Sequence, residues 1–166
     1  MISLTPGQKY DLGSIPYDNR IKPMNCNGWN PRYNVDGFLT YSAITEEGSD
    51  TYAELFRNGI LESVSAVAIW KRKLFSLSYE HRLIESLTDY LGLLNDLTIE
   101  LPIFLFLSLL GVRGCAIDTS GISRYSSLHA PRPIDRDIVL LPEVIIEDYS
   151  MPAEVILTNG ASLTKL

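Results

Sequence analysis

The chain has 166 residues, 46% hydrophobic and 20% charged, which suits one globular domain with its own core rather than a disordered chain. Its formal net charge of −6 arises in the second half, because residues 1–78 carry eight basic and eight acidic side chains and residues 79–166 six and twelve. A surface of that sign repels phosphate and offers no Lys/Arg stripe for autonomous nucleic-acid binding, and Lys71-Arg72-Lys73 reads as a solvated loop or helix start.

Met1–Tyr10 lacks the basic start and apolar run of a signal peptide, and the apolar stretch Leu101–Val112 is short of the roughly 20 residues a bilayer needs. Cys26 and Cys115 lie far apart, with no paired-ligand spacing, and no Asn-x-Ser/Thr sequon occurs. The expectation is a cytoplasmic chain with two free thiols and no membrane contact.

Pro6–Pro31 is rich in Pro, Gly, Asn and Asp, which is loop chemistry. Residues 1–32 are therefore expected as an irregular segment packed on the domain. A structureless start of that length reads as the continuation of something upstream, with Met1 as a truncation point. Residues 33–156 form the expected domain, and 157–166 a tail.

The first expected strand lies in Tyr33–Ala43, around Phe38-Leu39-Thr40-Tyr41, and ends before Glu46-Glu47-Gly48. Tyr52, Phe56, Ile60, Val64 and Val67 have helical spacing, but Asn58-Gly59 would then sit mid-helix, where Gly costs about 1 kcal/mol relative to Ala. The same pair suits the centre of a two-residue type I′ turn, so a hairpin is expected with arms Ala53–Arg57 and Ile60–Val64. Tyr79–Leu97, with Ser78 as N-cap, is the expected helix. Leu83, Leu87, Leu91 and Leu94, with Ile84 and Tyr90, make the stripe that should cover a sheet. Ile103–Val112 reads as a strand buried on both faces, Asp118–Pro133 as a long loop, and Ile138–Ile146 as an edge or bulged strand interrupted at Pro142. The fold class is α+β, a mostly antiparallel sheet with one long amphipathic helix packed on it.

Catalytic chemistry finds little support in the residue pattern. Cys26, His81, Cys115 and His129 are each isolated, so no metal or cofactor site is expected from them. No nucleophile elbow is present, and Gly111-Val112-Arg113-Gly114 lacks the spacing of a phosphate cradle. The densest charged cluster, Asp135-Arg136-Asp137, precedes a strand that continues to Glu143 and Glu147. Its first reading is a structural clasp, with Arg136 reaching Glu62 or Asp36. The alternative is a metal-dependent nuclease using Asp135, Asp137 and Glu143, joined by Asp36 or Glu54. Gly28–Gly37 mixes aromatics, amides and an arginine. Trp29, Asn30, Arg32, Tyr33 and Asp36 are the candidate ligand or partner contacts, against the plainer reading that Trp29 and Tyr33 anchor a loop. Arg57, Asn58 and Gly59 are read as structural.

Four blocks occur in order: Trp29–Tyr41, Leu55–Glu62, Pro102-Ile103 leading to Leu110–Gly114, and Ile134–Asp137 running to Leu141-Pro142-Glu143. Over about residues 4–156 they resemble the C-terminal domain of bacterial Schlafen AlbA-like proteins, often labelled helix-turn-helix DNA-binding or ATP-binding proteins. In those proteins the N-terminal AlbA-like module is the part thought to bind nucleic acid or nucleotide, and the resemblance implies that residues 1–166 correspond to the region after it. Where the family tends to continue into a further helix, this chain has Leu157-Thr158-Asn159-Gly160. The resemblance transfers no active site. It implies a non-catalytic sensor or assembly domain partnered by an AlbA-like module or another protein, meeting nucleic acid only indirectly, with oligomerisation open.

Overall fold

The computed structural model describes residues 9–15, 18–46, 48–67, 69–70, 72–118 and 133–158. Its centre is a four-stranded antiparallel sheet in the order β1 (Asn30–Tyr33), β2 (Gly37–Tyr41), β3 (Thr51–Phe56), β4 (Leu61–Ser65). Strict alternation of buried and half-buried residues along Thr51–Phe56 produces two distinct faces. Phe38, Ala53, Leu55 and Leu61 turn inward to the core.

The inner face is covered by α1 (Ser76–Asp96), whose Leu87, Tyr90, Leu91 and Leu94 are buried in the same cluster. Leu83 and Ile84 are half-buried at its margin. Residues 9–15 and 18–24 close the core from a third side, with Leu12, Ile15 and Ile21 almost fully buried. Two inward threonines fasten this segment to the sheet. Thr40 Oγ1 donates to Ile21 O at 2.5 Å, and Thr51 Oγ1 to Met24 O at 2.7 Å. These bonds satisfy carbonyls that would otherwise be buried without partners. A 3₁₀ turn at Asn19–Ile21 is capped by Asp18, which accepts from Arg20 N.

Smaller elements surround the other end of α1. β5 (Ile69–Trp70) pairs antiparallel with β6 (Lys73–Phe75), which pairs in parallel with β9 (Ala116–Asp118). β7 (Ile103–Leu105) pairs with β11 (Val144–Ile146), and β8 (Ser108–Leu110) with β10 (Ile138–Leu140), both antiparallel. Leu74, Tyr79, Leu109, Val112 and Val139 form a second core here. Half-buried Leu83 and Leu107 pack against both cores. A short α2 (Ala153–Ile156) buries Ala153 and Ile156 in the first core. The result is an α+β fold, mostly antiparallel, with one main helix on the sheet. Among the described residues no helix is long and apolar enough to cross a membrane.

Four local expectations are corrected. Asn58 and Gly59 do join antiparallel strands, but through a three-residue loop, not a type I′ turn. Phe56 O accepts from Gly59 N at 3.0 Å and Phe56 N donates to Ile60 O at 2.8 Å. Gly59 has φ +84 while Asn58 keeps a negative φ, so a type I turn ends in a glycine bulge. The arms are Thr51–Phe56 and Leu61–Ser65.

Asn30 and Pro31, expected in a loop, start β1. Proline is tolerated because β1 is an exposed edge strand. The helix starts at Ser76, so Ser78 lies within its first turn and is not the N-cap.

Ile103–Val112 is not one strand buried on both faces. It breaks at Phe106-Leu107 into β7 and β8, and Phe106 and Leu110 stand 50% and 66% exposed. Its partner breaks at the same level, at Leu141-Pro142-Glu143, where Leu141 N still donates to Leu107 O at 3.0 Å. The break expected at Pro142 thus interrupts both strands of the ribbon.

Candidate interaction surface

A four-stranded antiparallel sheet with one covered face offers the other face to its surroundings. The register builds that outer face in rows. Asn30, Tyr41, Tyr52 and Val64 stand side by side across the four strands, and Arg32, Leu39, Glu54 and Glu62 form the next row. Cross-strand neighbours of this kind lie about 5 Å apart and act as a unit.

Arg32 lies over the Tyr41 ring, 5.4 Å from guanidinium carbon to ring centre. This is cation–π geometry. Tyr52 donates its hydroxyl to Glu62 Oε1. Burial, reinforced by the Glu62 carboxylate, pushes the Tyr52 hydroxyl up to about 12, so it remains a donor at neutral pH. Glu54 accepts from Asn34 Nδ2 at 2.7 Å. A hollow of about 330 Å³ opens between these groups, floored by Leu39, Tyr41 and Tyr52 and walled by Arg32, Glu54 and the loop residues Ile44, Gly48 and Ser49. The loop is braced by the Ser42 and Ser49 hydroxyls, 2.8 Å apart. An apolar, aromatic floor with one cation and one carboxylate at its rim is the make-up of a pocket that anchors a large side chain of a partner.

The residues singled out in Gly28–Gly37 divide. Asn30 and Arg32 belong to the outer face. Tyr33 alternates to the other side, donates to Leu12 O at 2.7 Å and meets Phe38 edge-on at 4.9 Å, so it anchors residues 9–15. Trp29 is half-buried and lines a separate polar cavity of about 470 Å³ with Arg20, Lys22, Cys26 and Asp89. The cations there are already engaged. Arg20 bridges Asp18 and Asp96 at 2.6 and 2.8 Å, and Lys22 meets Asp89 at 3.3 Å. Asp36 sits exposed in the β1–β2 turn, where its N–H donates to Asn34 Oδ1 at 3.0 Å. Arg57 serves the turn through its backbone, donating to Asp36 O at 2.9 Å and accepting from Tyr10 N at 2.8 Å.

The charged cluster lies away from this face, at the entry to β10. Arg136 pairs with its neighbour Asp135 at 2.9 Å, and not with Glu62 or Asp36. The Arg136 guanidinium holds the Asp135 carboxyl below the usual carboxylate range. Asp137 accepts from Arg113 Nε at 3.1 Å, beside backbone bonds from Gly114 N to Ile134 O and from Ile134 N to Cys115 O. These bonds fasten the strand entry to the turn after β8. Among the described residues no three His, Cys, Asp or Glu side chains gather in a way that could hold a metal ion. His81 is exposed on α1, 3.7 Å from Glu85. His129 and the Asp118–Pro133 loop around it lie almost wholly outside the described residues.

A second hollow, about 610 Å³ and largely apolar, runs between β4 and β8 over the Tyr79, Leu83 and Leu87 side of α1. Sequence reasoning missed Tyr41, Tyr52 and Glu62 as members of a surface. The signal that could have found them is the alternation in Thr51-Tyr52-Ala53-Glu54-Leu55, whose even positions must share one face.

No family model matches this chain, and neither the curated proteins nor the solved structures compared with it give a match.

Proposed function

We propose that this chain is a non-catalytic assembly domain that binds a nucleic-acid-binding module of the Schlafen AlbA-like type and meets nucleic acid only through it. The observation that carries the reading is the uncovered outer face of β1–β4, where Arg32, Tyr41, Tyr52 and Glu54 surround an apolar hollow. Tyrosine and arginine are the residue types that dominate protein–protein binding energy, and a braced hollow gives them a fixed geometry. The net charge of −6 suits a basic, nucleic-acid-binding partner and disfavours direct phosphate contact. The order of the four sequence blocks supports the choice of partner.

Titration calorimetry of the chain against a purified AlbA-like module tests it. Binding should be weakened at least about tenfold by Arg32→Glu and by Tyr52→Ala, as expected for central anchors. Asp36→Ala, in the exposed turn, should leave it unchanged. Absence of binding, or equal binding by all three variants, contradicts the reading.

A further inference from the structure

The hollow between β4 and β8 has two walls of the same kind. Among the described residues β4 pairs as a strand only with β3, and β8 only with β10. Backbone groups alternate sides along an antiparallel strand. Ile60 O accepts from Phe56 N and Ala66 N donates to Asp50 O, so the even-numbered residues of β4 face β3. The backbone N–H and C=O of Ser63 and Ser65 therefore face the hollow. On the opposite wall Leu141 N donates to Leu107 O, which turns the backbone of Ser108 and Leu110 away from β10 and toward the same space. Between the walls lies an apolar floor of α1 side chains, with Leu83 and Leu87 one turn apart. An open strand edge beside an apolar floor is the arrangement by which extended peptides add to a sheet.

We propose that this groove takes an extended segment of a partner protein as a fifth strand alongside β4, with apolar side chains at alternate positions on α1 and a lysine or arginine opposite Glu62. The charge requirement follows from the register. Glu54 and Glu62 are directly paired across β3 and β4 at the open edge. Their hydrogen bonds come from Asn34 and Tyr52, both uncharged, and among the described residues neither carboxylate is in an ion pair. A residue of the added strand in that row sits about 5 Å from Glu62, where a cation is attracted and a third carboxylate repelled. The groove is separate from the outer-face hollow, and the proposal stands without the reading given above.

Three kinds of acetylated eight-residue peptide test it against the isotopically labelled full chain. One alternates valine with lysine, the second alternates valine with glutamate, and the third kind is the lysine peptide N-methylated on either set of alternate amides. The lysine peptide should bind saturably, shift the amide resonances of Ser63 and Ser65 and slow their hydrogen exchange. The glutamate peptide should bind about fivefold more weakly, and Glu62→Lys should reverse that order. At least one N-methylated version should lose binding, because pairing with a strand edge needs its N–H groups. The proposal is overturned if Ser63 and Ser65 do not respond, or if both N-methylated peptides bind as well as the parent. It is equally overturned if sedimentation shows concentration-dependent dimers that Ser63→Pro abolishes, which would assign the groove to a second copy of the chain.

Discussion

Glu54 and Glu62 face each other as a direct cross-strand pair on β3 and β4, two like charges where a sheet ordinarily sets opposite ones. Their repulsion is moderated by the Asn34 amide and the Tyr52 hydroxyl. Glu62→Gln keeps an acceptor for Tyr52 and removes one charge. It should stabilise the fold by about 0.2–1 kcal/mol, a rise of roughly 0.5–4 °C in melting temperature. The gain should shrink as salt is added, because the repulsion it relieves is screened. A loss of stability at low salt would contradict this.

Gly59 and Gly48 both have positive φ, +84 and +110, but only Gly59 is enclosed. A Cβ there would come 2.8 Å from Tyr10 Cε2, whereas nothing lies within 4 Å of one at Gly48. Gly59→Ala should cost the backbone penalty of roughly 1–2 kcal/mol and, in addition, displace Tyr10 from the turn. Thermal melts of both variants should show the larger fall for Gly59→Ala. Equal falls would mean that the Tyr10 contact is immaterial.

The charged cluster before β10 holds its Asp135–Arg136 pair at the surface and makes no bridge to Glu62 or Asp36. Asp135 and Arg136 are 78% and 67% exposed, and exposed pairs contribute little. Asp135→Ala should leave the melting temperature within about a degree of the parent. Mn²⁺ or Mg²⁺ should not raise that of the parent chain. A rise of several degrees that is abolished by Asp135→Ala would show metal binding to the native state and restore the nuclease alternative.

Asp18 accepts three bonds from the Arg20 side chain, at 3.0, 3.1 and 2.6 Å, and one from its backbone N–H at 2.8 Å. The Arg20 side chain is the main reason that the carboxyl is held below its usual range, and partial burial opposes it. A depressed folded-state value contributes stability that is fully present above the unfolded value of about 3.9 and is lost as pH falls through the folded value. Asp18→Asn should therefore destabilise the chain at neutral pH. The parent's advantage should shrink progressively as denaturant titrations are carried to pH values below the unfolded value of about 3.9. A difference that stays unchanged across that range would trace the effect to the cap geometry alone.

What was legible in the sequence had a local cause. Leu87, Leu91 and Leu94 recur at helical spacing, and that spacing alone orients α1 on the sheet. Asn58-Gly59 announced the hairpin, but not the loop length. The bulge needs positive φ only at Gly59, a distinction the dipeptide does not carry. β1 was hidden by Pro31, whose missing donor matters only if the strand has neighbours on both sides. The apolar run 103–112 was misread because hydrophobicity reports what a residue avoids, not whether anything covers it, and Leu110 is mostly exposed. The site was legible only in Asn30 and Arg32. Its other half, Tyr41 and Tyr52, comes from strand pairing between distant segments, which no single segment encodes.

The central claim, binding of a partner through the outer face of β1–β4, is tested most directly by mapping amide shifts of the labelled chain during titration with the AlbA-like module. The account predicts that the largest changes fall on Arg32, Tyr41, Tyr52 and Glu54, while the exposed side of α1 around His81 and Arg82 stays still. Changes centred on α1, or none anywhere at saturating module, would contradict it.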